Sequence, residues 1–202
     1  MINQENKNIA VIILAAGSSS RLGRPKQLLE LDGNTLLQKS IIAALNVSKN
    51  VIVVLGANEQ LIRPTISNLP IEITLNKNWA KGMSSSIRTG MSFLENKDCE
   101  AVLLMLCDQP FVDALLLEKM ISVFEKSELP IVASEYEGKV GVPAIFDVSF
   151  FQKLKILEGQ KGAKTLIMNN LKQIECFSFE KGKIDIDTEE DWKKIKNNLP
   201  KD

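Results

Sequence analysis

Residues Val11 to Leu29 read VIILAAGSSSRLGRPKQLL. The run Ile9 to Leu14 is too short for a buried helix and suits a buried strand. Leu14, Ala15, Ala16 and Gly17 then let the backbone turn sharply, and Ser18, Ser19 and Ser20 follow. A loop of small residues exposes backbone N–H groups that can wrap an anion. Arg21 and Lys26 add two cations within six residues, and Pro25 stiffens the approach to Lys26. The expectation is a loop at the end of a strand that holds a polyphosphate.

Three kinds of phosphate loop compete for this stretch. A dinucleotide fingerprint needs Gly-x-Gly-x-x-Gly, but Gly17 and Gly23 have five residues between them and no glycine among these. A mononucleotide P-loop needs Gly-Lys-Ser/Thr, but Gly23 is followed by Arg24 and Pro25. The third pattern is Leu-Ala-Ala-Gly, a polar spacer, Arg, a hydrophobe, Gly, x and Pro-Lys. Every element of it is present, and it resembles the signature loop of nucleotidyltransferases that activate a phosphorylated acceptor with an NTP. The alternative is a plain Ser/Gly-rich surface turn, which would not need Arg21 and Lys26 at these offsets.

Composition narrows the function classes. The 202 residues suffice for one α/β domain, expected to span 1–202, and 45% hydrophobic residues are ordinary for a globular chain. Formal net charge is zero, from 25 basic and 25 acidic residues, so the basic excess of a nucleic-acid binder is missing. No apolar run approaches the roughly 18 residues of a membrane helix. The start MINQENKN is polar and unlike a signal peptide. Cys99, Cys107 and Cys176 cannot all pair internally and form no Cys-x-x-Cys. They read as reduced thiols, and a cytoplasmic location is expected. No histidine occurs, so these residues supply no His base, His zinc ligand or Ser-His-Asp triad.

Along the chain, strands are expected at 51–55, 71–75, 101–106, 131–133, 140–146, 174–179 and 184–186. Helices are expected near 36–45, 58–68, 87–94, 113–126, 148–157, 161–171 and 188–198, with Asp113 as a cap and Pro64 a source of interruption. Strands alternating with helices predict a three-layer α/β fold with a mostly parallel sheet, and ligands there sit at the carboxyl ends of the strands. Gly17, Asp108 and Asp187 would then converge on one edge.

Three further groups carry candidate chemistry. Asp108 directly follows a six-residue apolar strand, a rigid mount for a magnesium ligand; a plain turn aspartate is the other reading. In Asp185-Ile186-Asp187, an extended backbone would put both carboxylates on one side and Ile186 on the other. Thr188 and Asp191 match a capping box. In Lys81-Gly82-Met83-Ser84-Ser85-Ser86, the amides and hydroxyls, with Gly82, Ser84 and Ser85 the nucleotide-binding candidates, face a ligand at a helix N-terminus, or Ser84 to Ser86 merely cap that helix.

LAAGSSSRLGRPK, GMSSSIRTG, DQP, GVPAIF, LEGQKGAK and DIDTEED occur in an order similar to the MobA-like NTP transferases, in particular the molybdenum cofactor cytidylyltransferase branch. The resemblance runs from about Ala10 to Trp192. It implies a Rossmann-like domain with a mixed sheet, of the nucleotide-diphospho-sugar transferase kind. It places Leu14, Ala15, Ala16, Gly17, Ser18, Arg21 and Lys26 at the nucleotide. Asp108 would hold Mg²⁺, assisted by Asp187 or Asp185. The implied partners are CTP, a phosphorylated acceptor of the molybdopterin type, and a molybdoenzyme or its maturation factor. Departures fall on the acceptor side: Val142 stands where the family commonly has histidine, and Gln160 and Lys164 replace an acid and an arginine.

The implied reaction is attack of an acceptor phosphate on the α-phosphorus of an NTP. The same chemistry on a sugar 1-phosphate or another small phosphorylated acceptor is the alternative. A non-catalytic nucleotide carrier is the rival of another class. Guanylyltransferase relatives carry Leu-Ala-Gly-Gly where this chain has Leu14 to Gly17, so the methyl of Ala16 is expected to favour a pyrimidine base.

Overall fold

A computed structural model describes residues 8–95, 97–160 and 162–198. The polar residues 1–7 and Lys161 lie outside the described residues. The chain order is β1 (Ile9–Ala15), β2 (Glu30–Leu31), β3 (Asn34–Thr35), α1 (Leu36–Val47), β4 (Val51–Leu55), α2 (Glu59–Ile62), β5 (Glu72–Leu75) and α3 (Met83–Phe93). It continues with β6 (Ala101–Leu106), α4 (Ala114–Lys126), β7 (Ile131–Tyr136), β8 (Lys139–Asp147), α5 (Phe151–Lys155), α6 (Ala163–Met168), β9 (Ile174–Ser178) and α7 (Glu189–Asn198).

Seven strands form one sheet in the order β5-β4-β1-β6-β8-β7-β9. The pairs β1–β4, β1–β6, β4–β5 and β7–β9 are parallel, and β8 runs antiparallel to both its neighbours. The sheet is therefore mixed and largely parallel. β1 and β4 are buried along their whole length, as strands covered on both faces must be.

Alternate residues of β1 supply the two cores. Val11 and Ile13 pack with Leu37, Ile41, Leu117, Met120 and Phe124, on the side of α1 and α4. Ile12 and Leu14 pack with Ile87, Met91, Leu154 and Ile167, on the side of α3, α5 and α6. A third cluster joins Leu22, Leu29, Leu31 and Leu36 to Ile186, Trp192 and Ile195. It fastens the segment after β1 to the segment around α7, residues 150 or more positions apart in sequence, and so builds the site.

Several elements differ from the sequence expectation. Residues 184–186 form no strand: they follow a 3₁₀ turn at Glu180–Lys183 and are held by Ile186 N donating to the Asp108 carbonyl at 3.0 Å. α3 begins at Met83 rather than Ile87, because all three serines of its first turn find hydrogen-bond partners. The expected helix over 58–68 is α2 followed by a 3₁₀ turn at Arg63–Thr65, where Pro64 supplies no N–H. The 161–171 helix shortens to α6, with a 3₁₀ turn at Leu171–Gln173. β7 runs on past Ala133 to Tyr136, with a register shift after Ala133. No helix among the described residues is long and apolar enough to cross a membrane.

Candidate active site

Parallel register brings the strand ends to one edge. Ala15 pairs with Leu55 and Leu14 with Leu106, so the chain leaves β1, β4 and β6 side by side. Ala57 N donates to the Ala16 carbonyl at 3.0 Å, tying two of these exits together. Gly56 is required there: a Cβ would stand 2.7 Å from the Ala16 carbonyl oxygen.

Gln27 shapes the loop after β1. It is buried, and its Nε2 donates to the carbonyls of Ala15 at 2.8 Å and Gly17 at 3.0 Å. Ser19 Oγ accepts from Lys26 N at 3.0 Å. The loop thus folds back on itself and delivers Lys26 to the strand edge.

There the Lys26 ammonium donates to Asp108 Oδ2 at 2.8 Å and Asp187 Oδ1 at 2.6 Å. Arg21 donates to Asp187 Oδ2 at 2.6 Å. Lys26 is only 11% exposed, whereas Arg21 is 70% exposed, so the first is built into the wall and the second reaches over it. Burial works against the Lys26 charge, but Asp108 and Asp187 outweigh it and raise the pKa, keeping the group cationic. Loss of hydration disfavours charge on Asp187, yet the bonds and charges of Lys26 and then Arg21 hold its carboxyl below the usual range. Asp185 is solvent-exposed, but lost hydration in the cleft and the neighbouring Asp108 and Asp187 push it up to about 6. Three carboxylates face two cations, and this excess of acid adds to the lost hydration that raises Asp185.

These groups surround a cavity of about 550 Å³. Of the residues expected from sequence, Leu14, Ala15, Ala16, Gly17, Ser18, Arg21, Lys26, Gly82, Asp108, Asp185 and Asp187 line it. Ser84 and Ser85 do not. Ser84 donates to the Glu158 carbonyl at 3.1 Å, and Ser85 donates to the carbonyls of Asn78 at 3.0 Å and Gly82 at 2.8 Å. The helix start therefore braces loops, while its third serine, Ser86, reaches the cavity and accepts from Asn76 Nδ2 at 3.0 Å.

Sequence reasoning did not find Gln27 or Trp79, which also line the cavity, as do Ser86 of the serine run and Gln160 of the expected acceptor side. Gln27 had a signal, a polar residue between Lys26 and Leu28 before an apolar pair. Gln160 carried a motif signal, but its closeness to Gly82 depends on packing: a Cβ on Gly82 would stand 2.9 Å from Gln160 Cα. Thr188 and Asp191 do form the reciprocal cap, Thr188 N donating to Asp191 Oδ2 at 2.9 Å and Asp191 N to Thr188 Oγ1 at 3.2 Å. Burial and Asp108 push the Cys107 thiol up to about 12, so it is no thiolate nucleophile.

Among the described residues, no group of three or more His, Cys, Asp or Glu side chains forms a ready-made metal site. Magnesium, however, commonly takes only one or two carboxylates and completes its shell with substrate phosphates and water. Asp108 and Asp187 fit that role. Asp108 Oδ1 is buried with no hydrogen-bond partner, so Lys26 on Oδ2 leaves this carboxylate only half satisfied.

Residues 11–174 match the family described as the MobA-like NTP transferase domain. Nicotine blue oxidoreductase of Paenarthrobacter nicotinovorans is 34% identical over 112 residues, 54% of this chain and 54% of that protein. The 2-C-methyl-D-erythritol 4-phosphate cytidylyltransferase of Leptospira interrogans is 32% identical over 127 residues, 60% of this chain and 52% of that protein. The chain thus spans about half the length of these two relatives. Rv0371c from Mycobacterium tuberculosis H37Rv superposes with a TM-score of 0.82 at 26% identity, covering 96% of this chain and 100% of that one. A structure of the same protein in complex with manganese gives a TM-score of 0.79 at 25% identity, with 95% and 100% covered. The family match takes in the loop after β1, the Asp108 strand and most of the sheet, so this chain belongs to the MobA-like NTP transferase family.

Proposed function

We propose that this chain moves a pyrimidine nucleotidyl group, CMP from CTP, onto a small phosphorylated acceptor and releases pyrophosphate. One observation carries the reading: Lys26 Nζ stands 2.8 Å from Asp108 and 2.6 Å from Asp187 at the mouth of the cleft that the Ala15–Ser18 loop lines.

The acceptor's phosphate oxygen bonds to the α-phosphorus as the bond from that phosphorus to the β-phosphate oxygen breaks. A phosphate monoester is largely dianionic near neutral pH, its second pKa being about 6. The nucleophile therefore needs no base, in keeping with a chain that has no histidine and a protonated Cys107. What opposes the reaction is repulsion between anions and charge gathering on the leaving group, which positioning and fixed cations offset. Lys26 and Arg21 supply two such cations from the phosphate loop. Mg²⁺, held by Asp108 and Asp187 with Asp185 beside them, would add further positive charge at the phosphates. The manganese complex of Rv0371c supports a divalent ion in this fold.

A phosphorylated sugar or small alcohol is the better supported acceptor. The Leptospira relative is named for a phosphorylated erythritol. Molybdopterin, with a molybdoenzyme as partner, rests on the sequence resemblance, and Val142, Gln160 and Lys164 depart from that pattern on the acceptor side. The test is pyrophosphate release from each NTP with a panel of phosphorylated acceptors. Release with CTP and a sugar or alcohol phosphate is expected. Nucleotide binding without pyrophosphate from any pair would favour a carrier instead.

A further inference from the structure

We infer that the Lys26 ammonium is a resident counter-ion standing where a divalent cation must load, so that metal binding and release of Lys26 toward the nucleotide are one coupled exchange. The inference rests on the metal-assisted reading above and concerns what Lys26 does before substrate arrives.

The geometry leaves the metal little choice. Asp108 Oδ1 is sealed from solvent, and Oδ2 is the oxygen of this carboxylate that meets a cation of the loop. Lys26 Nζ holds that oxygen at 2.8 Å. The same ammonium holds Asp187 Oδ1 at 2.6 Å, and Arg21 holds Asp187 Oδ2 at 2.6 Å. Both cleft-facing ligands are therefore already neutralised by side chains of the phosphate loop. One ammonium draws an oxygen from each carboxylate to a single point, which is also what one hard cation with oxygen ligands requires.

Exchange has a cost and a compensation. Expelling Lys26 removes a buried cation from two carboxylates and leaves it beside a dication, which repels it. Without an anion in the cleft, metal should bind weakly. A nucleotide triphosphate gives the displaced ammonium a new partner, so metal and nucleotide should help each other bind, by reciprocal linkage. The device keeps the acids paired in the empty protein and places a mobile cation at the phosphates only when metal has taken its place.

The test is Mn²⁺ binding to the nucleotide-free protein, read from the loss of the free-ion electron paramagnetic resonance signal. Lys26→Met removes the competing charge and should bind Mn²⁺ at least about tenfold more tightly than wild type. Lys26→Gln repeats the test with a polar head if the Met variant does not fold. Lys26→Arg keeps the charge and should stay as weak as wild type. Adding Asp108→Asn to the Met variant should abolish the gain, which locates the ion. Unchanged or weaker Mn²⁺ binding by both Lys26→Met and Lys26→Gln overturns the exchange. Pyrophosphate release by wild type is measured separately, so failure here is distinguishable from failure of the transferase reading.

Discussion

Gln27 Nε2 donates to the carbonyl of Ala15 at 2.8 Å, from a residue twelve positions further along the chain. The same nitrogen reaches the Gly17 carbonyl at 3.0 Å. A buried amide at the cavity wall thus sets the curvature of the loop after β1. Gln27→Ala should strand two carbonyls and cost about 1–3 kcal/mol of stability. It should also raise KM for the NTP more than it lowers kcat, since the loop's shape is lost and its cations are kept. A melting curve beside steady-state kinetics checks both; an unchanged Tm with unchanged KM would remove Gln27 from the loop's architecture.

Asp108→Asn should keep the fold and lower kcat by about a hundredfold or more, because a neutral amide replaces the charge that faces Lys26 and a metal. Circular dichroism and pyrophosphate release at saturating Mg²⁺ measure the two halves. Turnover near wild type would remove Asp108 from the chemistry.

Ala16 sits at the cavity wall, its Cβ 2.8 Å from where a Cβ on Gly56 would stand. Its methyl narrows the space between the exits of β1 and β4. A single methyl in a pocket discriminates by about 1–3 kcal/mol. Ala16→Gly should therefore shift the ratio of kcat/KM for CTP over GTP toward GTP by about tenfold. A wild type that already prefers GTP, or a ratio that stays put, would mean that Ala16 does not select the base.

Asp185 has a raised pKa of about 6 in the fold against an ordinary carboxyl value in the unfolded chain. The folded state therefore binds this proton more tightly, and stability from the group is present below the unfolded value and lost as pH rises to about 6. Asp185→Asn should stabilise the metal-free protein at pH 7.5 and leave it nearly unchanged at pH 4. Because the carboxyl is open to solvent, screening should hold the gain to about 1 kcal/mol. Thermal melts at both pH values decide this; a gain of equal size at pH 4 would point to a cause other than charge.

Much of this protein is legible in the chain alone. Ile9 to Leu14 and Ala101 to Leu106 are apolar without alternation, and that pattern belongs to strands covered on both faces. The spacing of Gly17, Arg21 and Lys26 singled out the loop after β1, and all three line the cavity at the strand edge, because a short loop keeps residues near in sequence near in space. The third core could not be read that way. It joins Leu22 and Leu29 to Ile186 and Trp192, and contacts across such separations leave no periodic trace in sequence. For the same reason the pairing of Lys26 with both Asp108 and Asp187 was decided only in three dimensions. Ser84 and Ser85 show the converse. A serine-rich helix start has the same local sequence whether it faces a ligand or braces a loop, and the carbonyls of Glu158 and Asn78 settle where these hydroxyls turn. Local order determined the strands, the loop and the kinds of charge. The packing of distant segments determined which charges meet.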